Sequence, residues 1–170
     1  IGVPFGLAIS KAADFEAQMS DVKAKSNATT EQLAALTEQA LRLSSAQETA
    51  NFTAKQVGEA QSFLAMAGFN TTQIMESMNS TLLLASAGSL DLARAADIAS
   101  NTLSQFGLRA DEMERVADVI ANAAVSSNQS VEQFADGMKF FGPTSRALGI
   151  SLEESAASMM LLANAGLQGS

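Results

Sequence analysis

The sequence predicts an all-α fold, a bundle of about seven or eight short antiparallel helices joined by tight glycine-containing turns. Three observations carry this prediction. Ala, Leu, Met, Gln and Glu dominate the 170 residues, and these are strong helix formers. Only two prolines occur, Pro4 and Pro143, and strand-type alternation is absent. Most decisively, one start signal recurs: Ser, Thr or Asn followed three residues later by Gln or Glu. In this pattern the capping side chain accepts from a first-turn N–H while the later side chain reaches back.

The first helix differs from the rest. Phe5, Ala8, Ala12, Phe15, Met19 and Val22 step by 3, 4, 3, 4, 3 residues, an a/d seam about three heptads long. This seam could pair with another chain or lie along its own bundle. The spacing therefore sets residues 1–27 apart as an N-terminal heptad helix, with 28–170 a compact multi-helix bundle and the whole a single domain.

Capped starts then follow at Thr29–Gln32, Thr53–Gln56, Asn70–Gln73, Ser130–Gln133 and Ser151–Glu154. Asp91 caps without the return partner. At Arg109–Glu112 the cap pattern fails, although Asp111 and Glu112 suit the positive end of a helix dipole. Gly68, Gly88, Gly107 and Gly149 precede these starts and can close a helix in the left-handed conformation. From Asn70 the starts fall 21 (70 to 91), about 19 (91 to 110), about 20 (110 to 130) and 21 (130 to 151) residues apart. Each unit is one helix of three to four turns, and connections this short fold neighbours back on one another.

Apolar stripes recur at helical spacing. They are Leu33–Leu36–Ala40–Leu43, Met75–Met78–Leu82–Ala85, Leu92–Ala96–Ala99–Leu103–Phe106, Met113–Val116–Ile120–Ala124 and Leu152–Ala156–Met159–Ala163. All read as core. Met66, Met75, Met78, Met138, Met159 and Met160 either fill gaps in that core or line an adaptable groove.

Composition bounds the chemistry. With no Cys and no His, disulfides, thiolate metal sites and the usual neutral-pH base are excluded. No metal, cofactor or catalytic residue is therefore expected. The carboxylates Asp111, Glu112, Glu114 and Asp118, and Glu153 with Glu154, open helices and complement their dipoles. The Asn-X-Ser/Thr triplets at Asn27, Asn51 and Asn128 sit where helix capping explains them. A net charge of −8, from 18 acidic and 10 basic residues, is opposite to a nucleic-acid footprint. No stretch has the length and apolarity of a membrane span, and Ile1–Ser10 lacks a basic flank. The chain starts at Ile1 and stops in mid-pattern at Ser170, which suggests a fragment.

Several segments, in order, resemble the core region of phage tail tape measure proteins. They are Asp14-Phe15-Glu16 through Met19-Ser20-Asp21-Val22, Phe63-Leu64-Ala65-Met66-Ala67-Gly68-Phe69, and Ala95-Ala96-Asp97-Ile98-Ala99-Ser100-Asn101 leading to Phe106-Gly107-Leu108. Val116-Ala117-Asp118-Val119 through Ser126-Ser127-Asn128 follows. The most specific are Gly142-Pro143 through Ala147-Leu148-Gly149-Ile150-Ser151-Leu152-Glu153-Glu154, and Leu161 through Ser170.

The resemblance implies a virion protein that fills the tail tube lumen, sets tail length and leaves ahead of the DNA, after assembly in the host cytoplasm. It implies tail tube and tail-tip or baseplate partners, a homo-oligomer (trimer or hexamer), no specific nucleic-acid binding and transient membrane contact on ejection. A membrane-active helical module and a generic helical adaptor are the alternatives. The chain is far shorter than a typical member. Because it reverses about every twenty residues, it is expected to be a compact part rather than the ruler.

Overall fold

The computed structural model describes residues 3–46 and 52–167, with side chains from residue 9 onward within the first helix. Among the described residues the fold is all-α. Its helices are α1 (Val3–Ser26), α2 (Thr30–Ser45), α3 (Ala54–Met66), α4 (Thr71–Gly88), α5 (Leu92–Phe106), α6 (Met113–Ser126), α7 (Val131–Leu148) and α8 (Leu152–Asn164), with a 3-10 turn at Ala110–Glu112.

The starts are built by side chains. Thr29, Thr53, Ser130 and Ser151 each accept from the backbone three residues on, and Gln32, Gln56, Gln133 and Glu154 accept from the cap N–H in return. Asn70 Oδ1 accepts from Gln73 N at 3.0 Å while Gln73 Oε1 accepts from Asn70 N at 2.9 Å. Asp91 accepts from Ala93 N at 3.0 Å. At Arg109 no side chain caps the helix. The Glu112 carboxylate accepts the Arg109 N–H at 3.0 Å, and the 3-10 turn leads into α6.

The ends show one difference from expectation. Gly68, Gly107 and Gly149 are left-handed, with φ of 90°, 66° and 72°. Gly88 instead stays helical, and Ser89 takes the left-handed position at φ 51°. The glycine at 88 answers to space: a Cβ there would stand 2.9 Å from Val131 Cγ2. Asn27, also left-handed at φ 52°, ends α1.

Two compact units divide the chain, residues 1–78 and 79–170. The sequence sets α1 apart at residue 27, whereas the units part within α4. In the first unit α1 packs along α3, and α2 packs on α3 as well. Met19, Val22, Leu36, Ala40, Leu43, Val57, Ala60, Leu64, Ile74 and Met78 form its core. Gly58 lets α1 close on α3, since a Cβ there would meet Gln18 Cγ at 2.8 Å. A buried pair of amides ties the remaining elements. Gln61 Nε2 donates to Leu36 O at 3.1 Å and Gln39 Nε2 to Met75 O at 2.8 Å.

In the second unit α5 pairs with α6 and α7 with α8, and the two hairpins pack on each other through α5–α7 and α6–α8. They repeat at 39 residues: α5 and α7 begin at 92 and 131, α6 and α8 at 113 and 152. Buried positions superpose at the same interval, Leu92 on Val131, Ala95 on Phe134, Ala99 on Met138, Met113 on Leu152 and Ile120 on Met159. α5 is shorter than α7 by three residues, and the three-residue 3-10 turn before α6 restores the register. Helix α7 continues through Pro143, which removes one helical N–H on an exposed face. The apolar stripes are buried except Leu33, Met75, Phe106 and Ala124, which are half-buried.

Candidate interaction surface

In the acidic clusters Asp111, Glu112 and Glu153 form ion pairs and Glu154 completes the cap at Ser151. Arg115 is the hub of the larger one. Its Nε and Nη2 donate to Glu153 at 2.6 and 2.8 Å, and its Nη1 donates to Glu112 at 2.7 Å. The Arg115 hydrogen bonds hold the Glu153 carboxyl below its ordinary range and raise the guanidinium in turn. Glu154 is also lowered, by the backbone N–H and the hydroxyl of Ser151. Both carboxyls therefore favour the ionised form. An acid–base pair needs two groups pushed apart instead. Among the described residues no group of His, Cys, Asp or Glu could hold a metal ion.

The heptad seam divides along its length. Met19 and Val22 are buried in the first unit and Phe15 is half-buried, while Ala12 and the neighbouring Ile9 are exposed. The side chains of Phe5 and Ala8 lie outside the described residues. The buried half is locked by polar groups. Gln18 Nε2 donates to Ser62 Oγ at 3.1 Å, the Ser62 hydroxyl donates to Asp21 Oδ2 at 2.7 Å, and Lys25 Nζ donates to the same oxygen at 2.6 Å. These bonds, Lys25 first, lower the Asp21 pKa. The C-terminal half of the seam thus serves its own unit. Among the described seam residues, Ala12 is the exposed one.

The methionines are mostly core. Met78, Met138 and Met159 are buried, Met75 and Met160 half-buried, and Met66 is exposed. The exposed apolar side chains lie elsewhere. Phe140, Phe141 and Leu148 are exposed on α7 and Leu161 and Leu162 on α8, and a shallow groove along α2 is lined by Leu33, Ala34, Thr37 and Leu41. Reading stripes for core residues leaves out Leu41, Leu161 and Leu162, which lie off the stripes of α2 and α8.

Comparison with known proteins decides the family. The profile of phage-related minor tail proteins matches residues 38–170. The chain belongs to this family. It is also similar to the tape measure protein of Pneumococcus phage Dp-1, with 40% identity over 157 residues. That match takes in 92% of this chain and 13% of the relative, so this minor tail chain spans a small part of the length of the tape measure protein it resembles. No solved structure is significantly similar to it. Among the described residues, no helix of this tail protein is long and apolar enough to cross a membrane.

Proposed function

We propose that the chain is a structural and assembly module of a tape measure protein, compact rather than part of the extended ruler, and without catalytic activity. The observation that carries this reading is the length of the helices within a sequence so similar to a tape measure protein. The longest, α1, has 24 residues and rises about 36 Å at ~1.5 Å per residue. A single straight helix of the whole chain would reach about 255 Å by the same rise. The protein of which this module is part would occupy the tail tube lumen, set tail length and leave ahead of the genome. Its contacts are with tube and tail-tip proteins and with further copies of itself, for which the exposed Ile9 and Ala12 of α1 are available. The net charge of −8 supports a surface that does not hold DNA through its phosphates.

Small-angle scattering tests the compact reading. A radius of gyration near the ~16 Å of a compact chain of this length supports it. A value approaching the ~74 Å of a rod as long as the straight helix refutes it. Micromolar, salt-dependent DNA binding at physiological salt would remove the reading of the charge.

A further inference from the structure

The repeat in the second unit leaves one face open. Helices α5 and α7 run in the same direction, because the links between them advance together. Arg94 reaches Glu132 at 3.7 Å, and further along a Cβ on Gly142 would stand 2.9 Å from Gln105 Cβ. The α6–α8 links keep step, with Arg115 on Glu153 and the Asn128 N–H donating to Asn164 Oδ1 at 3.2 Å. The second hairpin is thus the first displaced along the stack, and its outer face corresponds to the face of the first hairpin that it covers.

Two positions display the consequence. Thr102 lies between Arg94 and Gln105 on the edge of α5 turned to α7, in a pocket shared with Ala135 and Lys139, and is 2% exposed. Its equivalent 39 residues on is Phe141, 40% exposed. Ala123 on α6 is 1% exposed. Its equivalent is Leu162, 38% exposed. In each case the position that is small and covered in the first hairpin is large, apolar and open in the second.

We infer that the outer face of the α7–α8 hairpin, centred on Phe141 and Leu162, is the docking surface for a third αα-hairpin, stacked in the same direction and supplied by the tail protein's chain beyond residue 170. Two arguments choose this occupant. The face continues an existing interface, so a hairpin at the same displacement meets the same helix edges. The matched tape measure protein is also far longer than the matched stretch, which is 13% of it, and a chain of that length has residues to form the next repeat. Stacked repeats bury a continuous core in this way.

The test places single cysteines at Phe141, Leu162 and Val125 and follows alkylation peptide by peptide with mass spectrometry. The 170-residue chain has no cysteine of its own. Each variant is made in this chain and in the complete tail protein, with helicity checked by circular dichroism. Val125, 78% exposed on α6, is the reference. Phe141→Cys and Leu162→Cys are expected to react at least about tenfold more slowly than Val125→Cys in the complete protein, and within about threefold of it in the 170-residue chain. Equal rates in the complete protein overturn the inference. So does protection in the 170-residue chain that grows with concentration, which would make a second copy the occupant. If one of the two variants fails to fold, the other decides.

Discussion

Arg115 sets two guanidinium nitrogens against the Glu153 carboxylate, Nε at 2.6 Å and Nη2 at 2.8 Å, and so joins α6 to α8 across the stacked hairpins. The Glu153 pKa is lowered from its ordinary 4.5, chiefly by these bonds. A carboxyl held low contributes stability above its unfolded pKa and loses it as pH falls through the folded value. The carboxylate is 46% exposed, so solvent limits the pair to about 0.5–1 kcal/mol. Glu153→Gln is therefore expected to melt about 1–4 °C lower at pH 7, with the gap closing as pH falls below 4.5. Calorimetric melts of both proteins from pH 7 to pH 3 check this.

The cap at Ser151 holds the start of α8 with two bonds, since its hydroxyl accepts from Glu154 N at 3.2 Å and its N–H donates to Glu154 Oε2 at 2.9 Å. Ser151→Ala should cost about 1 kcal/mol and Ser151→Gly only a few tenths, measured by urea unfolding. An equal loss from both would mean that the cap is not what starts the helix.

Two glycines should resist substitution for opposite reasons. At Gly58 the backbone is helical and the obstacle is Gln18, so Gly58→Leu pushes α1 off α3 at about 1–3 kcal/mol. At Gly68 nothing stands within 4 Å of a Cβ, but φ is 90°, so Gly68→Ala costs about 1–2 kcal/mol through the backbone alone. Hydrogen exchange distinguishes the two. Protection of α1 falls in the first variant and is retained in the second.

The seam gives a third contrast. Val22 is fully buried, and Val22→Asp places an unpaired charge in the core at a cost of several kcal/mol, which unfolds the first unit. Phe15 is half-buried, and Phe15→Asp should leave the helices intact. If copies assemble through α1 around Ala12 and Phe15, light scattering across a concentration series shows an oligomer that Phe15→Asp reduces to a monomer. A wild-type chain that is monomeric throughout removes α1 from the assembly contacts.

Helix starts were the most legible feature of the sequence, because a cap is made by residues three apart and needs no tertiary knowledge. Ends were less so. Gly107 and Gly149 close their helices as their position implies, yet at the end of α4 the left-handed residue is Ser89, and the glycine at 88 leaves room for Val131 instead. The division of the seam was hidden, since Met19 and Val22 look like Phe5 and Ala12 until α3 is seen against them. The stacked hairpins could have been found by overlaying the apolar stripes at twice the single-helix spacing. The individual start intervals vary by a residue or two and obscure the longer period. Phe141 and Leu162 could not be read as an open face from sequence at all. Their meaning comes from the burial of Thr102 and Ala123.

Tail length is the most direct test of the central claim. Residues 1–170 would be removed in frame from the tape measure protein of a phage carrying them, and the tails measured by electron microscopy. A compact module predicts tails of unchanged length, or no completed tails when the lost contacts are needed for assembly. Complete tails shortened by about 255 Å, the length of these residues as one straight helix, would contradict the account and make the segment part of the ruler.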